Sequence, residues 1–218
     1  MTESWLEACR VDGIDFGLYL VTDRNQTGGR DLLWVLQQAL DGGVKAIQLR
    51  EKDLCGKDLF FLAERSRKLC EAYGAALFVN DRVDVALAVD AAGVQLSRVS
   101  LPVGTARILL GEKKLIGVST HSLQEAREAK HDGADFILFG PVYFTPAKAA
   151  YGAPQGLAAL RTIVDNIPLP VYAIGGIKPD NIEPTKKTGV RGVALISAIV
   201  SAESPKEAAA KMLRQLRS

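Results

Sequence analysis

Eight short apolar runs rich in β-forming residues recur along the chain, and helical patterns separate them. The runs span residues 18–21, 46–49, 77–79, 93–96, 116–118, 136–139, 171–174 and 192–196. Apolar residues recur at spacings of three and four over residues 32–40, 59–73, 83–89, 123–130, 157–164 and 206–216. Eight strands alternating with helices predict an α/β fold, a (β/α)8 TIM barrel, with an open doubly wound sheet as the alternative.

The pattern continues without a Pro-rich or low-complexity break, which indicates one domain. We expect residues 1–16 to form an N-terminal extension and residues 17–218 to form the barrel domain. Asp31 and Ser122 stand where helix N-caps are expected, and Gly74, Gly133 and Gly189 stand where helices should end.

The formal net charge is only +2, from 27 basic and 25 acidic residues. A balance this even gives no basic field for nucleic acid or a membrane surface, so the expected partners are small-molecule substrates. The sequence leaves homo-oligomer formation open. Cys9, Cys55 and Cys70 are odd in number and show no Cys-x-x-Cys spacing. That pattern is typical of a reducing compartment and predicts a cytoplasmic protein.

In a (β/α)8 barrel, chemistry gathers at the carboxyl ends of the strands. The second run ends in Gln48, Leu49, Arg50, Glu51 and Lys52. Alternation along a strand places Gln48, Arg50 and Lys52 on one side. A guanidinium, an ammonium and an amide together suit a diphosphate, so this segment is a candidate diphosphate site. A solvated charge cluster on a loop is the alternative.

Asn80 and Asp81 follow the third run, and the Asp81 carboxylate is a candidate ligand for Mg²⁺ beside a diphosphate. Asn and Asp are also favoured helix N-caps, which is the alternative interpretation. After the sixth run, a long loop from Gly140 to Gly156 offers the Thr145 hydroxyl and the movable charge of Lys148.

Two late turns, Gly175-Gly176 and Ile196-Ser197, resemble the adjacent turns that bind a phosphate through backbone N–H groups in many barrels. Simple turn geometry is the alternative, because Gly-Gly suits any tight turn. His121 follows Ser119 and Thr120, and it fits either a local role at a helix start or general acid/base chemistry.

Together these segments resemble the thiamine phosphate synthase family. They occur in the family's order and spacing over residues 17 to 216, which is more specific than any single motif. The resemblance implies a (β/α)8 barrel that joins 4-amino-2-methyl-5-hydroxymethylpyrimidine diphosphate to a thiazole phosphate. The products are thiamine phosphate and pyrophosphate, and the implied mechanism is dissociative and assisted by Mg²⁺.

The resemblance also implies site residues. Those implied for the pyrimidine diphosphate are Gln48, Arg50, Lys52, Asn80, Ser119 and Lys148, and those for the thiazole phosphate are Thr145, Gly176, Ile196 and Ser197. Leu49, Glu51, Pro146 and Ala147 are further substrate-binding positions in the matched motifs. Arg50, Lys52, Ser119 and Lys148 would carry catalysis, and Asp81 would be a Mg²⁺ ligand.

The chain departs from the family pattern after its fourth run. Ser100 stands where the family usually has a second Mg²⁺-binding aspartate, so we expect Ser100 to be a weak ligand at most. Ala147 replaces a common threonine. Two alternatives follow: the related thiazole tautomerase, a metal-free isomerase in which the residue matching His121 transfers a proton, and a non-catalytic binder of phosphate ligands.

Overall fold

The computed structural model is a closed barrel of eight parallel strands surrounded by helices, and it describes residues 14–145 and 153–218. The strands are β1 (Leu18–Val21), β2 (Ala46–Leu49), β3 (Ala76–Asn80), β4 (Gly93–Leu96), β5 (Leu115–Thr120), β6 (Phe136–Phe139), β7 (Val171–Ile174) and β8 (Gly192–Leu195). The helices are α1 (Leu32–Asp41), α2 (Gly56–Ala72), α3 (Val83–Ala88), α4 (Val103–Leu110), α5 (Leu123–His131), α6 (Gly156–Asn166), α7 (Ile182–Lys186), α8 (Ser197–Val200) and α9 (Pro205–Arg217).

Closure confirms the predicted (β/α)8 barrel over the open sheet, because β1 pairs with both β2 and β8. The predicted helix signals are also confirmed. The Asp31 carboxylate accepts a hydrogen bond from the backbone N–H of Trp34 at 3.0 Å, and the Ser122 hydroxyl accepts one from Glu125 at 3.1 Å. Within the described residues, no helix is long and apolar enough to cross a membrane.

Two strands run further toward the barrel mouth than their apolar runs indicate. β3 includes Asn80, which pairs with Gln95 of β4, and β5 includes Ser119 and Thr120, which pair with β6. Backbone pairing continues past the last apolar residue because the ladder uses N–H and C=O groups, whatever the side chain. Asn80 and Ser119 therefore stand on paired strands and not on loops.

Aromatic side chains fill the barrel interior below the mouth. Phe16, Tyr19, Phe78, Phe136 and Tyr172 pack with ring centroids 5.0 to 6.2 Å apart. The Tyr172 hydroxyl donates to the Phe16 carbonyl at 2.7 Å, and burial raises the pKa of both tyrosines. The interior is a dry packed core, so ligands can bind only above it.

The predicted domain boundary at residue 16 falls inside this core. Ile14 and Phe16 are both buried in the interior cluster, with exposed fractions of 1% and 3%. The Ile14 carbonyl also accepts a hydrogen bond from the Arg191 guanidinium at 2.9 Å. The barrel core therefore begins before residue 17, because these apolar side chains cover the end of the barrel opposite the mouth.

Candidate active site at the barrel mouth

Neutral polar side chains from four consecutive strands form the upper layer of the barrel interior. They are Gln48 of β2, Asn80 of β3, Gln95 of β4 and Ser119 of β5. The Gln48 side-chain amide donates to the side-chain oxygen Oδ1 of Asn80 at 2.8 Å, and the Gln95 side-chain amide donates to the Ser119 hydroxyl at 3.1 Å. Each residue lies two positions after an inward-facing residue, so alternation directs all four inward. This layer presents amide and hydroxyl groups that can orient a heterocycle.

Asp81 adopts a left-handed backbone conformation, with φ of 61°, directly after β3. Its carboxylate accepts hydrogen bonds from the Asn80 amide at 2.6 Å and the Ser97 hydroxyl at 3.0 Å, and it also contacts the Ser100 hydroxyl. The alternative role as a helix cap is not adopted, since α3 is capped by Arg82 without a side-chain hydrogen bond. Strained residues of this kind cluster at functional sites.

The structure brings Asp81, Ser97 and Ser100 together, as a Mg²⁺ site would require. Within residues 14–145 and 153–218, no group of three His, Cys, Asp or Glu side chains could hold a metal. Mg²⁺ commonly binds through one or two carboxylates, with water and substrate phosphate completing its octahedron. One carboxylate flanked by two hydroxyls fits that mode of binding, and it does not fit an all-protein metal cage.

Arg50 and Lys52 follow β2 on the same side of the mouth. Within the described residues, no hydrogen bond or ion pair engages the Arg50 guanidinium, although its backbone N–H donates to Thr22. The Lys52 side chain is 48% exposed, and its ammonium lies 3.9 Å from the Asp81 carboxylate. Two cations with little internal neutralisation, beside a half-buried carboxylate, can receive an anion and its counter-cation together.

The side chains of Leu49 and Glu51 point away from the mouth, so their predicted part in substrate binding, which stays a prediction, would use their backbone. Leu49 is fully buried in the apolar cluster between the strands and the outer helices. Glu51 is buried against Thr22 and Arg24 of the loop after β1. Alternation explains both placements, because odd positions of this segment face opposite to Gln48, Arg50 and Lys52.

The opposite side of the mouth is built from backbone. Gly175 and Gly176 have φ of 95° and 66°, and a Cβ on Gly176 would lie 2.6 Å from the Phe144 carbonyl oxygen. The Asn181 amide donates to the Gly176 carbonyl at 3.0 Å, which fixes this turn. α8 begins at Ser197, with one residue between it and the end of β8, so the N–H groups of Ser197 and Ala198 have no partner within the helix.

Thr145 is the last described residue before the gap at 146–152, and Tyr143 and Phe144 of the same loop pack against Gly176. Pro146, Ala147 and Lys148 lie outside the described residues, so their roles remain predictions. His121 follows β5. One of its ring nitrogens, Nδ1, contacts the Gly140 carbonyl, and because a carbonyl only accepts, Nδ1 is the donor in this contact.

Sequence reasoning assigned no contact to three polar residues of the site. Thr22 contacts Arg50, Ser97 contacts Asp81, and Gln95 contacts Ser119. Gln95 had a usable signal, because it is an isolated polar residue in an apolar strand and is 1% exposed. Its side-chain carbonyl oxygen has no hydrogen-bond partner among the described residues. Thr22 also had a signal, because it directly follows the first apolar run. Ser97 left none, since single Ser residues in loops are common.

The chain is similar in sequence to known proteins over most of its length. The family model for thiamine monophosphate synthase matches residues 18–199. A putative thiamine-phosphate synthase of Geobacter sulfurreducens is 52% identical, over 93% of this chain and 95% of that protein. A thiamine-phosphate synthase of Alkaliphilus oremlandii is 44% identical, over 90% and 93%.

Solved structures agree with the sequence comparison. A thiamine phosphate pyrophosphorylase from Pyrococcus furiosus superposes with a TM-score of 0.85 at 40% sequence identity. The match covers 92% of this chain and 95% of that protein.

Proposed function

The chain belongs to the thiamine monophosphate synthase family, and from that premise we propose how the two sides of its barrel mouth divide the work. The enzyme is a transferase, a thiamine-phosphate synthase. The side formed by β2 to β5 would bind the pyrimidine diphosphate, and the side formed by β7 and β8 would bind the thiazole phosphate. Both substrates are small molecules, and no nucleic acid or membrane partner is needed.

The observation that carries this division is the pair of poorly neutralised cations beside Asp81. Arg50 and Lys52 are available to the diphosphate, and the nearest carboxylate lies 3.9 Å from the Lys52 ammonium. The neutral amides of Gln48 and Asn80 stand deeper in the barrel, where they suit an uncharged ring. We therefore place the diphosphate at the rim of the mouth, beside Arg50 and Lys52, and the pyrimidine ring deeper in the barrel, beside Gln48 and Asn80.

Across the mouth, the backbone around Gly176 and Ser197 suits a single phosphate. Glycine is needed at position 176 because a Cβ there would collide with the Phe144 carbonyl oxygen and the Tyr143 Cβ. The backbone N–H groups of this turn and of the first residues of α8, with the Ser197 hydroxyl, would bind the phosphate. Thr145 follows Phe144 and would add a second hydroxyl. A thiazole phosphate held here would present its ring to the centre of the mouth.

In the proposed reaction, the pyrimidine methylene–oxygen bond breaks first and pyrophosphate departs with both electrons. Arg50, Lys52 and the predicted Lys148 stabilise the negative charge that develops on the leaving group. Asp81, with Ser97 and Ser100, would hold Mg²⁺, which when bound neutralises further charge on the pyrophosphate oxygens. The thiazole nitrogen then captures the resonance-stabilised pyrimidinylmethyl cation, so no protein nucleophile is required.

The arrangement favours synthesis over the two alternatives. A metal-free isomerase using His121 gains nothing from a carboxylate and two cations at the opposite strands. A non-catalytic binder also has no need for a strained aspartate, which costs about 1–3 kcal/mol wherever the fold retains it. We further propose a cytoplasmic location, which is supported by the free thiols of Cys55 and Cys70.

Initial-rate inhibition by pyrophosphate tests the division of the mouth. We expect pyrophosphate to compete with the pyrimidine diphosphate, because both would occupy Arg50 and Lys52. It should not compete with the thiazole phosphate. Competition with the thiazole phosphate alone would contradict the assignment of the two sides.

A further inference from the structure

Glu51 is a buried carboxylate between the two cations of the site, yet it faces neither of them. Its side chain is only 1% exposed. It accepts hydrogen bonds from the Thr22 hydroxyl and from the Arg24 backbone N–H at 3.1 and 3.2 Å. The Arg24 guanidinium adds a contact at 3.3 Å. Among the described residues, every donor to the Glu51 carboxylate thus comes from the loop that follows β1.

Thr22 connects this carboxylate to the backbone of Arg50. Its hydroxyl donates to Glu51 and at the same time accepts from the Arg50 N–H at 2.9 Å. The Thr22 N–H donates to the Gln48 carbonyl, also at 2.9 Å. The end of β1 is therefore hydrogen-bonded to three residues of the segment 48–52, namely Gln48, Arg50 and Glu51.

Direct binding of substrate by the Glu51 carboxylate is inconsistent with this geometry. Both carboxylate oxygens already accept from Arg24, and one also accepts from Thr22. A carboxylate aimed at a diphosphate would also repel it. A purely stabilising ion pair with Arg24 does not account for the contact with Thr22 either, because that hydroxyl is shared with Arg50.

We propose that Glu51 is a positioning residue that, through Thr22, fixes the backbone of Arg50 and orients Arg50 and Lys52 toward the diphosphate. This inference rests on the proposed function, since it assumes that these two cations bind the leaving group. It adds a role for a buried side chain that does not touch substrate.

Glu51→Gln tests the proposal with almost no change in volume. The Arg24 N–H lies within hydrogen-bond distance of both oxygens, so the amide nitrogen must oppose a donor in either orientation. We expect KM for the pyrimidine diphosphate and Kd for pyrophosphate in excess Mg²⁺ to rise about 10- to 100-fold, as for other residues that orient a binding group. KM for the thiazole phosphate should stay within about twofold.

Thr22 provides the conservative pair. Thr22→Ser keeps the hydroxyl and should stay within about threefold of wild type, whereas Thr22→Val removes it and should resemble Glu51→Gln. Asp53→Asn is a matched control, because Asp53 binds the same Arg24 guanidinium at 2.8 Å but is exposed. Thr188→Val removes a buried hydroxyl bonded to Thr185, away from the mouth, and controls for lost stability.

Pyrophosphate binding by calorimetry separates failure of this inference from failure of the proposed function. If wild-type protein binds pyrophosphate without forming thiamine phosphate, and Glu51→Gln weakens that binding, the positioning role stands and the proposed function fails. Unchanged pyrophosphate binding in Glu51→Gln overturns the positioning role. An equal rise in both KM values of Glu51→Gln, reproduced by Thr188→Val, also overturns it. A wild-type protein that does not bind pyrophosphate overturns it as well.

Discussion

The two sides of the barrel mouth offer different kinds of binding group. On the side of β2 to β5, the candidate groups are side chains: two cations, a carboxylate, three amides and several hydroxyls. On the side of β7 and β8, they are mainly backbone N–H groups of the Gly176 turn and of the start of α8. A substitution on the side of β2 to β5 should therefore weaken binding by removing a side chain that contacts the ligand. A substitution on the side of β7 and β8 should weaken binding by adding a side chain that displaces the backbone.

The two sides also differ in how they are supported. The Arg50 backbone N–H donates to the Thr22 hydroxyl at the end of β1, and that hydroxyl in turn donates to Glu51, the residue after Arg50. The Gly176 turn is held by Asn181 and lies under the Phe144 carbonyl. Substitutions on the first side should therefore change electrostatics, and those on the second should change geometry.

Arg50→Ala should have the largest effect of any single change on the first side. It removes the guanidinium fork from the leaving group, and we expect kcat/KM for the pyrimidine diphosphate to fall on the order of 100- to 1,000-fold. Arg50→Lys should recover only part of this loss, because a point charge lacks the bidentate geometry. Steady-state kinetics with each substrate varied would check this, and an unchanged rate would remove Arg50 from the site.

Asp81→Asn should reduce kcat/KM by about 100-fold and raise the Mg²⁺ concentration needed for half-maximal rate. The variant keeps the side-chain volume and the capacity for αL backbone, which Asn tolerates. A Mg²⁺ titration of the rate is the direct measurement. Loss of activity with an unchanged Mg²⁺ requirement would show that Asp81 acts without the metal.

Gly176→Ala tests the second side. The new Cβ would lie 2.6 Å from the Phe144 carbonyl oxygen and 2.8 Å from the Tyr143 Cβ, so the turn must shift. We expect KM for the thiazole phosphate to rise about tenfold, the scale of a lost or displaced phosphate contact, while KM for the pyrimidine diphosphate changes little.

Gly111→Ala is its matched control. Gly111 has a φ of 68°, nearly that of Gly176, but a Cβ there meets no atom within 4 Å. Alanine at position 111 is therefore also forced to a positive φ, but it meets no collision. Equal kinetic effects of the two alanine variants would mean that strain, and not the phosphate turn, explains the result.

Ser100→Asp should have the smallest effect and the opposite direction. A second carboxylate beside Asp81 raises the charge of the ligand set, so half-maximal rate should need about three- to tenfold less Mg²⁺. Ser100→Asn is the neutral control of equal size. If the two variants share one Mg²⁺ dependence, position 100 lies outside the metal shell.

The barrel and the Asp81 site followed from the sequence for physical reasons. Strand and helix periodicity determines which runs can be buried. Acidic or amide residues directly after an apolar run, such as Asn80 and Asp81, indicate the carboxyl end of the barrel, where ligands bind. The Ser100 hydroxyl contacts the Asp81 carboxylate, and the role of both residues as metal ligands stays a prediction.

Glu51 was less accessible to sequence reasoning. Its charge suggests a ligand contact, but its partners Thr22 and Arg24 are 29 and 27 positions away, and only the closed barrel brings them together. The same holds for the carboxyl contact of Ser97, which is 16 positions from Asp81. Side-chain contacts between loops that are far apart in the sequence form only once the barrel has closed, so the local residue pattern does not reveal them.

The most direct measurement incubates the purified full chain with the pyrimidine diphosphate, the thiazole phosphate and Mg²⁺, and quantifies both products by chromatography. The account predicts thiamine phosphate and pyrophosphate in equal amounts, and loss of both when Mg²⁺ is chelated or Arg50 is replaced by alanine. A folded protein that binds both substrates and forms neither product would contradict it.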